Sequence, residues 1–225
     1  MLDSLKKYLI RKKKPIIFEK ERTEPFCRNF GVERGKPLDR YYIESFLDSK
    51  RKLIKGSVLE ISEDTYTRKY GSNLSKSTVL TFDKTASSPA IYGDLTDKNT
   101  LPAEKFDCFI ATQTLNFIRD VDTAAANAAY LLAPGGVFLG TVATLSPVSR
   151  FDYERWGDYW RFTDMGIKVF LEKHFSGVKV YPYGNFAAAR YFLDGVVLED
   201  ITSEEILNKK DEDFSIVIGF EAYKS

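Results

Sequence analysis

Three acids and one aromatic stretch carry the chemistry that can be read from this chain. Glu60, Asp83 and Asp94 close short apolar runs in VLEI, VLTFD and AIYGD, and Glu60 and Asp83 lie 23 residues apart. A carboxylate at a strand end can accept from both hydroxyls of a ribose, a bidentate charge-assisted contact that no neutral side chain reproduces. Asp94 precedes Leu95, so an acid there can accept from an adenine amino group while the next backbone amide donates to a ring nitrogen. The plain alternative is that acids end strands because the chain meets water there. Three in succession strengthen the ligand reading.

The second feature is FDYERWGDYWRFT, residues 151–163. Six of its thirteen residues are aromatic and both tryptophans are here. The rings of Tyr153, Trp156 and Trp160 suit the apolar faces of a sugar or another amphipathic substrate. Arg155 and Arg161 suit a phosphate or carboxylate, where a guanidinium fork is favoured. The competing reading is a loop that packs its own aromatics as a satellite core. Loops above strand ends are where sites sit, which favours function.

These groups need elements to position them. Apolar runs at 56–61, 78–83, 89–94, 106–112, 137–142, 178–183 and 214–222 predict seven strands. PLDRYYIESFL predicts a helix, with Leu38, Tyr42, Ile43, Phe46 and Leu47 on one face. DVDTAAANAAYLLAPGG predicts another, stopped by Pro134-Gly135-Gly136. Thr163-Asp164 caps one running to about His174, and an apolar helix is expected near 186–200. Alternating strands and helices imply an α/β fold with a doubly wound, mostly parallel seven-stranded sheet and an N-terminal helical extension. In such a sheet ligands bind outside the carboxyl ends of the strands. The aromatic loop follows strand five and is expected to rise over that end.

Composition excludes much else. The chain has 225 residues, 44% hydrophobic and 29% charged, with net charge +1, so no global basic field invites nucleic acid. Residues 1–40 are nevertheless basic, including Arg11, Lys12, Lys13 and Lys14 beside Leu2, Leu5 and Leu9. This is a solvated terminus, or an amphipathic helix for an anionic membrane or an acidic partner. We divide the chain into a basic extension, 1–36, and a main domain, 37–225. MLDSLKKYLI lacks the apolar core of a signal peptide, so a cytoplasmic protein is expected. Cys27 and Cys108 make no disulfide framework, and one histidine gives no basis for a metal centre. His174 in LEKHF is expected to support a helix end, and Cys108 to fill the core.

VLEI, TFD, YGDL, FDCFIATQTLNFI and LLAPGGVFLGTV together resemble the class I S-adenosylmethionine-dependent methyltransferases over residues 56–142. RGKPLDRYYIESFL and YERWGDYWRFT further resemble a bacterial subgroup of small methyltransferases found in glycan and capsule pathways. The resemblance implies a Rossmann-like fold with an antiparallel seventh strand, and S-adenosylmethionine as cofactor. It implies cofactor contacts at Glu60, Ile61, Ser62, Asp83, Asp94, Leu95 and Gln113, with Arg40 reaching the cofactor carboxylate. One departure stands out. The family's glycine-rich turn is replaced by Ser62-Glu63-Asp64-Thr65-Tyr66, which narrows the space and adds negative charge.

The expected reaction is O-methylation of a small glycan-related acceptor, an in-line displacement that rewards alignment. Asp158 or Asp152 is the expected base. Tyr41 and Arg40 close the site from the first helix, with Tyr41, Tyr153, Arg155, Trp156, Trp160 and Arg161 toward the acceptor. The alternative is a catalytically silent methyltransferase-like module in an envelope-glycan assembly. Its basic N-terminus would then dock a glycosyltransferase or a membrane periphery.

Overall fold

The computed structural model describes residues 22–84 and 89–225. In chain order it forms α1 (Leu38–Ser49), β1 (Gly56–Ile61), a short α2 (Thr65–Tyr70), β2 (Leu74–Thr81), β3 (Ala90–Tyr92) and β4 (Phe106–Thr112). Then come α3 (Val121–Leu131), β5 (Leu132–Ala143), the single turn α4 (Arg150–Tyr153), α5 (Asp164–Glu172), β6 (Gly177–Gly184), α6 (Phe186–Asp194), α7 (Glu205–Asn208) and β7 (Ser215–Tyr223). The seven strands are ordered β3-β2-β1-β4-β5-β7-β6, and β7 alone runs antiparallel to its neighbours. This is a Rossmann-like, mostly parallel sheet with the expected antiparallel seventh strand.

The pleat divides the core into two layers. Leu59, Phe109, Phe138 and Phe220 face α3 and α5, and Phe109 and Phe138 stack at 4.8 Å. Val58, Cys108, Ile110 and Leu139 face α1, α2, α6 and α7. Helix α1 buries the apolar stripe read from its sequence, Leu38, Tyr42, Ile43, Phe46 and Leu47. Gly219 lies flat under Phe46, whose ring sits 2.5 Å from where a Cβ would be. Asp120 caps α3 by accepting from the Thr123 amide at 3.0 Å, and Thr163 caps α5 through the Gly166 amide.

Several boundaries differ from the sequence expectations. β2 begins at Leu74 rather than 78, because its solvent-facing first half is polar and hides the strand pattern. β5 begins at Leu132, so the Pro134-Gly135-Gly136 stop lies inside the strand's irregular entry rather than before it. The helix expected over 186–200 ends at Asp194, where Gly195 takes the left-handed φ of 71° that closes a helix.

Residues 22–36 are not helical where described; they form turns strapped to the end of α6 and the segment that follows it. The Phe26 amide donates to Asp194 O, Arg34 grips both oxygens of Asp200 at 3.0 and 2.8 Å, and the Lys36 amide donates to Glu199. Arg11 to Lys14 and Leu2, Leu5 and Leu9 lie outside the described residues. Among the described residues no helix is long and apolar enough to cross a membrane.

Candidate functional site

The switch of strand order falls between β1 and β4, so a ligand crevice is expected at their carboxyl ends. β1 delivers Glu60 there, but its carboxylate is fully engaged. It accepts from the Tyr66 and Thr67 amides at 3.0 and 2.7 Å and from the Thr67 hydroxyl at 2.7 Å. Glu60 therefore caps α2 from the preceding strand. Burial pushes its pKa up, against the lowering effect of these hydrogen bonds.

The turn that lacks glycine still makes a glycine-type bend. Ser62 sits at φ 64° and its amide donates to Leu80 O, while the Glu63 amide donates to Ile61 O. The Ser62 and Glu63 side chains are exposed, and Tyr66 is turned inward, its hydroxyl accepting from Arg40 at 2.6 Å. Asp64 pairs with Arg68 at 2.8 Å and accepts from Ser77, which neutralises part of the added charge. Ile61 is half-buried against the α3 and α5 layer. The Ser62 and Glu63 side chains lie in solvent and Tyr66 is held by Arg40, so the backbone bend at Ser62 is the part of the turn that can approach a cofactor laid across the strand ends.

Thr81 pairs with Tyr92, so Asp83 and Asp94 follow neighbouring strands by the same two-residue step. Asp83 is exposed. Asp94 accepts on one oxygen from the Thr96 amide at 2.7 Å and hydroxyl at 2.8 Å, leaving the other open. Leu95 is buried, and its carbonyl accepts from Asn127.

The residues expected toward an acceptor lie around β4, β5 and the aromatic loop. Gln113 sits at φ 49°, its amide donating to Thr141 O at 2.8 Å and its side chain accepting from Asn116. Buried Asn116 then accepts the Ala143, Tyr159 and Trp160 amides on its two carbonyl oxygens, pinning the loop to the sheet. A cavity opens here, lined in part by Phe30, Gln113, Asn116, Asp152, Asp158 and Arg161. None of the three acids lines it.

The two candidate bases differ sharply. Asp158, with its side chain wholly buried, accepts from Arg161 on both oxygens, at 2.5 and 2.8 Å, and from the Ser149 amide at 3.0 Å. Burial opposes its charge, but the Arg161 guanidinium and the Ser149 amide outweigh it and hold its pKa below the ordinary carboxylate value. Asp152 accepts from the Ser149 hydroxyl on one oxygen at 2.5 Å and lines the cavity.

Of the remaining expected residues, Trp160 donates its indole N–H to Ile118 O at 2.9 Å, and Arg155 lies over Phe151 at 3.5 Å from the ring centre. Tyr153 is exposed. Trp156 is stacked on Phe82. Tyr41 does not reach the loop; its hydroxyl donates to Asn208 on α7 at 2.8 Å. His174 lies 3.4 Å from Asp122, and burial pushes the Cys108 thiol up. Sequence reasoning missed Phe30, Phe82 and Asn116. Only the Phe30-Gly31 pair carried a signal, a bulky residue beside a glycine.

A methyltransferase-domain family matches residues 55–140. No curated protein matches the chain. Among solved structures, an S-adenosylmethionine-dependent methyltransferase from Mesorhizobium loti aligns with a TM-score of 0.57 at 14% identity, over 83% of this chain and 100% of that one. The N-methyltransferase NodS from Bradyrhizobium japonicum, in complex with S-adenosyl-L-homocysteine, aligns at 0.52 and 15%, over 85% and 90%. The [4+2]-cyclase SpnF aligns at 0.54 and 14%, over 99% and 94%. At such identities the likeness shows the fold.

Proposed function

We propose that this S-adenosylmethionine-dependent methyltransferase, whose methyltransferase domain lies at residues 55–140, methylates an oxygen of a small glycan-related acceptor at the carboxyl ends of β4 and β5. The observation that carries this reading is the composition of the cavity there, which combines the rings of Phe30 and Phe117 with the Asp152 carboxylate and the Gln113 amide, while Arg161 spends its donors on Asp158 and the carbonyls of Ser146, Pro147 and Trp160. Apolar CH faces suit the rings, and hydroxyls suit the polar groups.

When bound, the cofactor supplies an electrophilic methyl group. Asp83 and Asp94, with the Leu95 amide, would hold its adenosine end, and the Ser62 bend with Gln113 would hold the middle. Arg40 has one nitrogen on Tyr66 and others left for the cofactor carboxylate. Glu60 works by fixing the turn through α2. Asp152 takes the acceptor proton, its position set by the Ser149 hydroxyl. The Asp158–Arg161 pair keeps the loop in register, and Trp160 is anchored to Ile118 to present its ring. The loop thereby excludes water and aligns the acceptor, the effect a displacement reaction most needs. The basic residues of 1–36 serve as a docking element for an acidic partner or an anionic membrane.

Calorimetry with S-adenosylhomocysteine, followed by transfer of labelled methyl groups to bacterial sugar extracts, tests the reading. A methyl ether in the product is the expected result. A methyl on nitrogen or carbon overturns the acceptor assignment, and cofactor-free co-purification with a glycosyltransferase favours a silent binding module.

A further inference from the structure

The loop after β5 makes one contact that its place in the sheet does not require. Trp156 stacks on Phe82 with ring centres 5.7 Å apart and planes at 19°. Phe82 directly follows β2, while Trp156 belongs to the loop after β5, and β1 and β4 lie between those strands. At the spacing of neighbouring strands, β2 and β5 are about 14 Å apart. The loop therefore crosses the ends of β1 and β4, above the crevice where the strand order switches.

The crossing is built in. The Trp156 amide donates to Asp152 O at 2.7 Å, and Gly157 turns the chain at φ 92°. The Tyr159 ring sits 2.3 Å from where a Gly157 Cβ would lie, so only glycine fits that bend. Neither ring belongs to the core, with Phe82 58% and Trp156 52% exposed. Two apolar rings that stay half in water and touch only across a crevice do little for folding and much for covering what lies beneath.

We infer that the Phe82–Trp156 pair is a clasp over the cofactor crevice, and that Trp156, read from sequence as an acceptor-side residue, is a positioning residue for the cofactor. This rests on the cofactor lying at the ends of β1 and β2. Phe82 immediately precedes Asp83, so the ring and the carboxylate expected to hold the ribose move as one unit. Entry and exit of the cofactor then require the rings to part. The same loop carries Asp152 and Arg161, so a closed clasp also sets the acceptor wall.

Stopped-flow tryptophan emission with S-adenosylhomocysteine, alongside calorimetry of the same variants, tests the clasp. Phe82→Ala and Trp156→Ala are expected to speed dissociation about two- to tenfold, the range set by loss of one aromatic pair. Trp156→Phe keeps a ring for the stack and is expected to restore the slow rate while abolishing most of the emission change. Binding heats with unchanged rates in both alanine variants overturn the clasp alone. No binding heat in the unaltered protein overturns the cofactor reading, and the clasp with it.

Discussion

Arg161 holds Asp158 by both carboxylate oxygens, at 2.5 and 2.8 Å, across one turn of an otherwise irregular loop. The pair converts the most aromatic stretch of the chain into a fixed wall. It also separates the two acids that sequence alone left equivalent, since Asp158 has its lone pairs engaged and Asp152 does not.

Removing that pair should loosen the loop. Asp158→Asn is expected to lower stability by about 1.5–3 kcal/mol, the range for a hydrogen bond to a charged group. The folded pKa of Asp158 is depressed, so its contribution is whole above the unfolded carboxylate pKa of about 3.9. It is lost as pH falls through the lower folded value. Urea midpoints measured from neutral pH down to acid should therefore fall less steeply in the variant than in the unaltered protein.

Asp152→Asn should act on the reaction rather than the fold. Loss of a general base lowers kcat by about 10²–10⁴-fold. Calorimetry should show unchanged affinity for S-adenosylhomocysteine. A matching loss of affinity would move Asp152 from the acceptor to the cofactor.

Glu60 and Asp83 should separate in the opposite sense. Glu60→Ala uncaps α2 and should cost about 0.5–2 kcal/mol in urea unfolding. Asp83→Ala should weaken S-adenosylhomocysteine about 10- to 100-fold, through loss of charge-assisted hydrogen bonds. Equal affinity in the Asp83 variant would remove it from the ribose.

Phe30 should tune the acceptor. It sits at φ 54°, stacked on Phe192 at 5.7 Å, and enters the cavity wall from the strap formed by residues 22–36. Phe30→Ala should raise the acceptor KM more than it lowers kcat. Gly31→Ala should destabilise by about 1–3 kcal/mol, because a Cβ there meets Val197 at 2.4 Å and the φ is 86°. Thermal unfolding checks the second, and steady-state kinetics the first.

The sequence by itself determined the layers of this protein. Strands β1, β4 and β7 bury both faces, so they read as continuous apolar runs, and the stripe on α1 repeats at helical spacing. Strand ends then followed, and with them Asp83 and Asp94, because a periodic pattern is a local property. What each polar group is bonded to is not local. The sequence offers Glu60 as a ligand without showing that α2 bonds to its carboxylate, and Asp158 as a base without showing that Arg161 holds it. Phe30 reaches the cavity wall and Phe82 reaches Trp156 from segments far apart in the chain. Lone pairs and ring faces are allotted only when distant segments meet, so only the tertiary structure could decide which acids remain available for chemistry.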